Sequence, residues 1–451
     1  MAPGPSTEAV AAALGRQLGG TVHGLRRLSG GASRVTSAFE LQTAADGNRP
    51  LIVQMDRGGR SQGGRVRMEG ALLRAAAAAG VPVPAVVALG DGEGDGLGTS
   101  WLVVEYLQGE TIPRKILRDE EWATARSALT GQAGRALAAI HAIDPASVAG
   151  LPRADPLGDP LPLLDALGEV RPALELGVRW LAAHRPESGP RVTVHGDYRI
   201  GNFLVGPDGL RGVLDWELAH TGDPAEDIGW LCAPAWRFGG SGEVGGFGRL
   251  PELLAAYRAA GGQGMTPARV RWWQVYATVK WAAICALQAS GHLSGATRSV
   301  ELAAIGRRVC ESEWDLFTLL GTPPPPSEGP DVADGPTPPF GRPTAAELVE
   351  AVREYLDGLL ERSTGGASFD ARVARNALGV AERELRLGPA LRAAHAARLR
   401  ELGFADDTAL AAALRSGTLD GQWESIAPVL ATAARDQLLV ANPGYLPPPT
   451  G

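Results

Sequence analysis

At 451 residues the chain exceeds what one hydrophobic core supports, roughly 250–300 residues, so two or more domains are expected. Its hydrophobic content of 45% is enough for real cores, and the absence of any run of about 20 apolar residues argues against a helical membrane span. A net charge of −7 argues against general nucleic-acid binding.

The first hundred residues read as β-rich with one helix. VTSAFELQT (35–43) and LIVQM (51–55) alternate or run apolar as strands do, and AADGNR between them supplies turn chemistry. VRMEGALLRAAAAAG (66–80) reads as a helix ended by Gly80. VPVPAVVALG then returns in extended form, and SWLVVEYL (100–107) reads as a buried strand. From about residue 120 helices dominate, beginning with WATARSALTGQAGRALAAIHAI and LPLLDALGEVRPALELGVRWLAAH.

VTVHGDYRIGNFLVG (192–206) interrupts them. VTV is a short strand feeding the loop HGD, and FLVGPDGLRGVLDW (203–216) reads as a β-hairpin turning at Pro207–Gly209. Asn202 stands at the entrance of the hairpin and Asp215 at the end of its second arm, so the two converge although thirteen positions separate them. This constellation suits phosphoryl transfer. Magnesium prefers hard oxygen ligands, few from protein and the rest from phosphates and water, and Asn202 and Asp215 supply such oxygens. A further carboxylate must orient the attacking hydroxyl and accept its proton, and Asp197 is placed for that.

HGDYRIGN, VLDWE and GDPAEDIGW together resemble the aminoglycoside phosphotransferase and choline kinase superfamily. The resemblance implies an α+β, bilobal, protein-kinase-like fold with a β-rich N-lobe and a mainly helical C-lobe. In its terms Asp197 is the catalytic base, and Asn202 and Asp215 are the ligands of Mg²⁺. His195 is a structural residue of the loop. Asp223 and Asp227 either brace that loop from below or cap a helix at Pro224. LSGGASRVT (28–36) resembles the loop that covers the nucleotide, ATP or GTP, through Ser29, Gly30, Gly31, Ser33 and Arg34. VVEYLQGE resembles the hinge, with Glu105, Tyr106 and Leu107 meeting the base.

Glu69 matches the helix glutamate of the family, but the strand lysine or arginine it should pair with is replaced by Gln54. Only two lysines, Lys115 and Lys280, occur in the whole chain, so Arg34 or Arg57 is the available substitute.

The helices of 250–310 carry Arg258, Arg269, Arg271, Lys280, Arg298, Arg307 and Arg308 against Glu252 and Glu301, a balance that suits an anionic acceptor better than a cationic one. Trp216, Glu217, Arg237, Arg271 and Lys280 are the expected acceptor contacts. The motif run through WRFG is similar to kinase domains related to those fused to acyl-CoA dehydrogenases, which implies a hydroxyacyl-CoA acceptor phosphorylated at the 4-position. An aminoglycoside, amino alcohol or sugar, or a nucleotide-binding pseudokinase scaffold, are the alternatives.

Residues 321–342 are dense in Pro and Gly and read as a semi-rigid linker. It divides an N-lobe (1–107) and C-lobe (108–320) from a helical C-terminal domain (343–451). The first helix of that domain sets Leu348, Val352, Tyr355, Leu356 and Leu359 on one face, and a homodimer through this domain is one expectation. The tail resembles a small helical protein that accompanies such kinases as a separate partner. Cys232, Cys285 and Cys310 are too widely spaced for a disulfide framework or zinc site. With MAPGPSTEAV lacking the pattern of a secretory signal, reduced thiols in a cytoplasmic protein are expected.

Overall fold

The computed structural model describes residues 6–28, 34–44, 47–56, 63–153, 165, 170–187, 189–323, 344–360 and 366–447. The chain divides into two compact units, Met1–Ala154 with Glu187–Val270, and Asp155–Pro186 with Arg271–Gly451.

The first unit opens with α1 (Thr7–Leu18), whose first turn is capped by Ser6 and which ends at Gly19 in the left-handed conformation. A five-stranded antiparallel sheet follows, in the order β1 (Thr21–Arg27), β2 (Arg34–Thr43), β3 (Gly47–Asp56), β5 (Trp101–Glu105), β4 (Val86–Gly90). β3 takes up Gly47–Arg49, which the sequence assigned to a turn, because the β2–β3 ladder runs unbroken from Arg34 opposite Asp56 to Thr43 opposite Gly47. Strand alternation builds two cores. Trp101 and Val103 of β5 pack with Phe39, Leu51, Val53 and the α1 residues Ala13 and Leu14. Leu102 and Val104 point the other way, into the larger core that includes Leu72, Leu73 and Ala76 of α2 (Gly63–Ala78).

That larger core continues through α3 (Pro113–Arg118) and α4 (Ala123–His141), where Leu129, Ala133, Leu137 and Ile140 recur at helical spacing. It supports β6 (Val192–Val194), paired antiparallel with β9 (His220–Gly222), and the hairpin of β7 (Phe203–Gly206) and β8 (Gly209–Val213). α6 and α7, numbered after α5 of the second unit, are Pro224–Leu231 and Leu250–Ala259; they bring in Ile228, Leu231, Leu253 and Tyr257.

The second unit is helical: α5 (Pro172–Ala183), most of α8 (Pro267–Leu293), α9 (Val300–Ile305), α10 (Val309–Leu319), α11 (Ala345–Leu360), α12 (Gly366–Glu401), α13 (Asp407–Arg415) and α14 (Trp423–Ala441). Helices before and after the proline-rich segment share one core: Ala173, Leu176 and Phe317 pack with Leu399, Leu410, Leu414, Ile426 and Leu430. Ion pairs reinforce it, with Arg415 bridging Glu175 and Asp165, and Arg171 at 3.8 Å from Glu313. The apolar stripe expected on α11 is largely uncovered, with Leu348, Val352 and Tyr355 exposed by 55%, 50% and 64%. Among the described residues no helix is long and apolar enough to cross a membrane, and the three cysteines are buried and form no disulfide.

Candidate active site

The loop after β6 is built around Asp197. Its Oδ1 accepts hydrogen bonds from Arg199 Nε at 2.9 Å and Trp230 Nε1 at 2.7 Å, and its Oδ2 accepts one from Asn202 Nδ2 at 2.6 Å. Each carboxylate oxygen offers about two lone pairs, so Oδ2 keeps one for a further donor. The Asn202 amide orientation is fixed chemically, because both neighbours of Nδ2, Asp197 Oδ2 and the Asp197 carbonyl, are acceptors. Among the described residues no donor reaches Asn202 Oδ1, leaving that oxygen available.

Hairpin register delivers Asp215 beside it. Phe203 pairs with Val213, and the Leu214 N–H bonds the Asn202 carbonyl at 2.9 Å, so Asp215 is the first residue beyond the ladder. It takes φ of +63°, left-handed backbone that Asp tolerates better than most residues. No described residue donates to its carboxylate. Desolvation by the surrounding protein, then the negative charges of Glu217, Asp197 and Glu69, push its pKa up to about 7. A carboxylate kept without a donor and crowded by like charges is a position a cation would relieve. No cluster of three His, Cys, Asp or Glu side chains suited to a metal occurs among the described residues. Asp215 and Asn202 Oδ1 would therefore be a two-ligand set, the pattern of Mg²⁺ shared with phosphates and water.

His195 ties the two halves together. Its Nε2 donates to the Leu214 carbonyl at 3.1 Å and its Nδ1 accepts from the Asp197 N–H at 3.2 Å, which defines a neutral tautomer. Burial lowers its pKa and favours that neutral form. Asp227 holds the loop from α6: its carboxylate accepts the N–H groups of His195 and Gly196 at 2.8 and 2.9 Å, and His141 Nε2 at 3.2 Å. Burial alone would raise the Asp227 pKa, but His141, His195 and the backbone donors hold it below the ordinary value. Gly196 (φ +81°) allows the turn, since a Cβ there would meet the Leu218 carbonyl oxygen at 2.3 Å.

Asp223, offered as either brace or cap, is the cap. It accepts from the Ala225 N–H at 2.9 Å and pairs with Arg269. Trp216 is 1% exposed, its Nε1 bonded to the Val213 carbonyl, so it belongs to the core under His195 and not to an acceptor surface. Glu217 meets Arg65 through its carbonyl. Arg237 donates to the Cys232 carbonyl at 3.3 Å, and its Nε is buried without a partner among the described residues. Arg271 and Lys280 lie in the second unit, Arg271 exposed and Lys280 Nζ at 5.9 Å from the Tyr276 ring.

In the sheet, Glu69 finds its cation on β2. Arg34 Nη1 lies 2.5 Å from Glu69 Oε2, and Arg34 Nε 3.0 Å from Asp56 Oδ1, the residue opposite it in the ladder. Gln54 lies two residues along, opposite Thr36, and makes no hydrogen bond to a described residue through its side chain. Burial raises the Glu69 pKa, opposed by Arg34. At the hinge, the Glu105 and Tyr106 N–H groups bond the Ala85 and Pro50 carbonyls, whereas no described residue takes the Leu107 N–H. Ser29, Gly30, Gly31, Ser33 and Arg57 lie outside the described residues.

Two side chains that touch Asp197 were missed in the sequence. Arg199 stands inside the loop motif itself, its guanidinium 4.7 Å over the Trp236 ring. Trp230 follows Asp227 by three residues, which puts both on one face of α6. That spacing was a readable signal.

Residues 24–273 match the model of the phosphotransferase enzyme family, and residues 361–445 that of a domain of unknown function, DUF6285. Over 63 residues the chain is 40% identical to acyl-CoA dehydrogenase family member 10 of Mus musculus, spanning 14% of this chain and 6% of that protein. Over 62 residues it is 39% identical to family member 11 of Gallus gallus, spanning 13% and 8%. Its α+β, kinase-like fold is that of a Ralstonia eutropha protein assigned as an aminoglycoside phosphotransferase, with a TM-score of 0.55 at 20% identity over 70% of this chain and 98% of that one.

Proposed function

This chain belongs to the phosphotransferase enzyme family, and on that premise we propose that it moves the terminal phosphoryl group of ATP (or GTP) to an alcohol of a small molecule, a hydroxyacyl-CoA. One observation carries the reading: Asp197, held by three donors with one lone pair of Oδ2 to spare, and the donorless Asp215 are brought to the same end of a hairpin by Asn202. Magnesium, when bound, neutralises phosphate charge there. Asn202 has two tasks: its Nδ2 fixes Asp197, and its Oδ1, with Asp215, holds the metal. Asp197 Oδ2 orients the acceptor hydroxyl and takes its proton as the oxygen bonds to phosphorus, and the nucleoside diphosphate leaves from the opposite side. Arg199 lies over the Trp236 ring and pairs with Asp197, and the similarity to acyl-CoA dehydrogenase family members 10 and 11 supports a thioester acceptor. Incubation with ATP, Mg²⁺ and hydroxyacyl-CoA esters should release ADP and a phosphorylated thioester by mass spectrometry. Turnover of aminoglycosides, amino alcohols or sugars alone would replace the acceptor assignment.

The pseudokinase alternative rested on Gln54. Arg34 weakens it by taking the glutamate's partner position from the neighbouring strand. Arg34→Met should cost about 3–5 kcal/mol in chemical denaturation, because it strands buried Glu69. Arg34→Met with Glu69→Leu should recover most of that loss. If Arg34 also grips phosphate, KM for ATP stays raised about tenfold in the double variant; an unaltered KM would leave Arg34 a purely structural role.

The exposed stripe of α11 supports a homodimer. Val352→Glu with Tyr355→Glu should then convert a dimer to a monomer in sedimentation velocity, with melting temperature kept; a wild-type monomer would remove this part of the reading.

A further inference from the structure

The second unit contains a cavity of about 250 Å³, walled by α10, α12, α13 and α14 with Arg171, Gly306 and Arg307, and a neighbouring one of about 260 Å³ that shares Arg171, His395, Asp407 and Gln437 with it. We infer that this joined space is a binding site for a small amphiphilic oxyanion, a phosphate or carboxylate head group on a short aliphatic body. The inference does not depend on the phosphotransferase reading.

Three observations converge on it. First, the walls carry buried polar atoms without partners among the described residues. His395 Nε2 donates to both oxygens of Asp407 at 3.0 and 3.1 Å, while its Nδ1 is buried and unbonded. Arg398 Nη2 pairs with Asp436 at 2.6 Å, while its Nε is likewise buried and unbonded. An unbonded Arg398 Nε–H donor and an unbonded His395 Nδ1 in a cavity wall are costly unless something fills the space.

Second, one guanidinium is left over. Arg171, Arg307, Arg392 and Arg398 line the joined space against Glu313, Glu384, Asp407 and Asp436, and those carboxylates are met by Arg171, Arg307, His395 and Arg398. Arg392 has no carboxylate partner among the described residues. A side chain at Gly388 would meet Arg392 Nη1 at 2.8 Å, so the glycine leaves the guanidinium its place at the wall.

Third, the wall is made at a cost to its own helix. Gly388 is followed by Pro389 inside the 36-residue α12. Gly and Pro are the two least favourable residues at a helix centre. Their position beside the cavity fits a helix shaped for the space it encloses. Among the polar residues, Leu391, Val440 and Ala441 supply apolar surface for an aliphatic body.

The test uses the full chain and four probes of equal length in isothermal titration: hexyl phosphate, hexanoate, hexanol and hexylamine. The two anions should bind, while hexanol and hexylamine should not, and the tighter of the anions identifies the head group. Arg392→Met is exposed and carries no described ion pair, so the fold should hold. It should weaken the anions about tenfold. In NMR the His395 ring resonances, assigned through His395→Gln, should shift on addition of the better anion. Absence of heat and of any His395 shift at millimolar anion would overturn the site, as would binding of hexylamine equal to that of the anions or indifference to Arg392→Met.

Discussion

Asp215→Asn will raise the melting temperature of the ligand-free protein and abolish turnover. The carboxylate is crowded by desolvation and by Glu217, Asp197 and Glu69, so its pKa lies at about 7 against an ordinary 3.8. The sign follows from linkage. A carboxyl whose folded pKa is raised favours the fold when protonated. That contribution is complete below the unfolded value and is lost as pH rises through about 7. The melting-temperature gap between Asp215→Asn and wild type should therefore open between about pH 4 and 7 and level off above it. Asn also keeps the left-handed backbone of φ +63° comfortable. Divalent-cation binding should run the other way, strengthening in wild type as Asp215 ionises and vanishing in the variant. A variant that melts lower than wild type at pH 8 would remove the picture of a carboxylate held in a conformation and a charge state suited to a metal.

Asp197→Ala will lower turnover by on the order of 10²-fold or more, with KM for ATP nearly unchanged. The reason lies in position: Asp197 acts on the acceptor hydroxyl in the transition state, not on the bound nucleotide. The same change removes the carboxylate that accepts from Trp230 Nε1 and Arg199 Nε, and one of the two acceptors of Asn202 Nδ2. An unsatisfied buried donor costs about 1–3 kcal/mol, so the variant should also be less stable. Arg199→Ala separates the two effects, since it removes one donor and keeps the base. Turnover near wild type in Asp197→Ala would exclude it as the base.

The arrangement of the candidate site was legible where the sequence is local. Asp197 and Asn202 stand five residues apart on one loop, and a short hairpin fixes Asp215 against Asn202, so turn chemistry and alternation were enough. Pairings that depend on register between distant segments were not legible. The Arg34–Glu69 pair needs both the β2–β3 ladder and the placement of α2, and the sequence offered Arg34 and Arg57 for the cation missing at Gln54 without a means to choose between them. Asp223 and Asp227 are four residues apart in one motif, and spacing alone does not tell the cap from the brace. Trp216 follows Asp215 on a strand-like run, so alternation turns it inward; an aromatic beside a functional carboxylate is read too easily as a ligand contact. The proline-rich segment marks a break in local structure, but packing is set by apolar faces, and the helices on either side of it share one core.

The most direct measurement is a crystal structure with Mg²⁺ and a non-hydrolysable ATP analogue. A metal bonded to Asp215 and Asn202 Oδ1 at about 2.0–2.1 Å, with the terminal phosphate between it and Asp197, is the expected result. A nucleotide bound with its phosphates away from all three side chains, or a metal that touches neither Asp215 nor Asn202, would contradict the assignment.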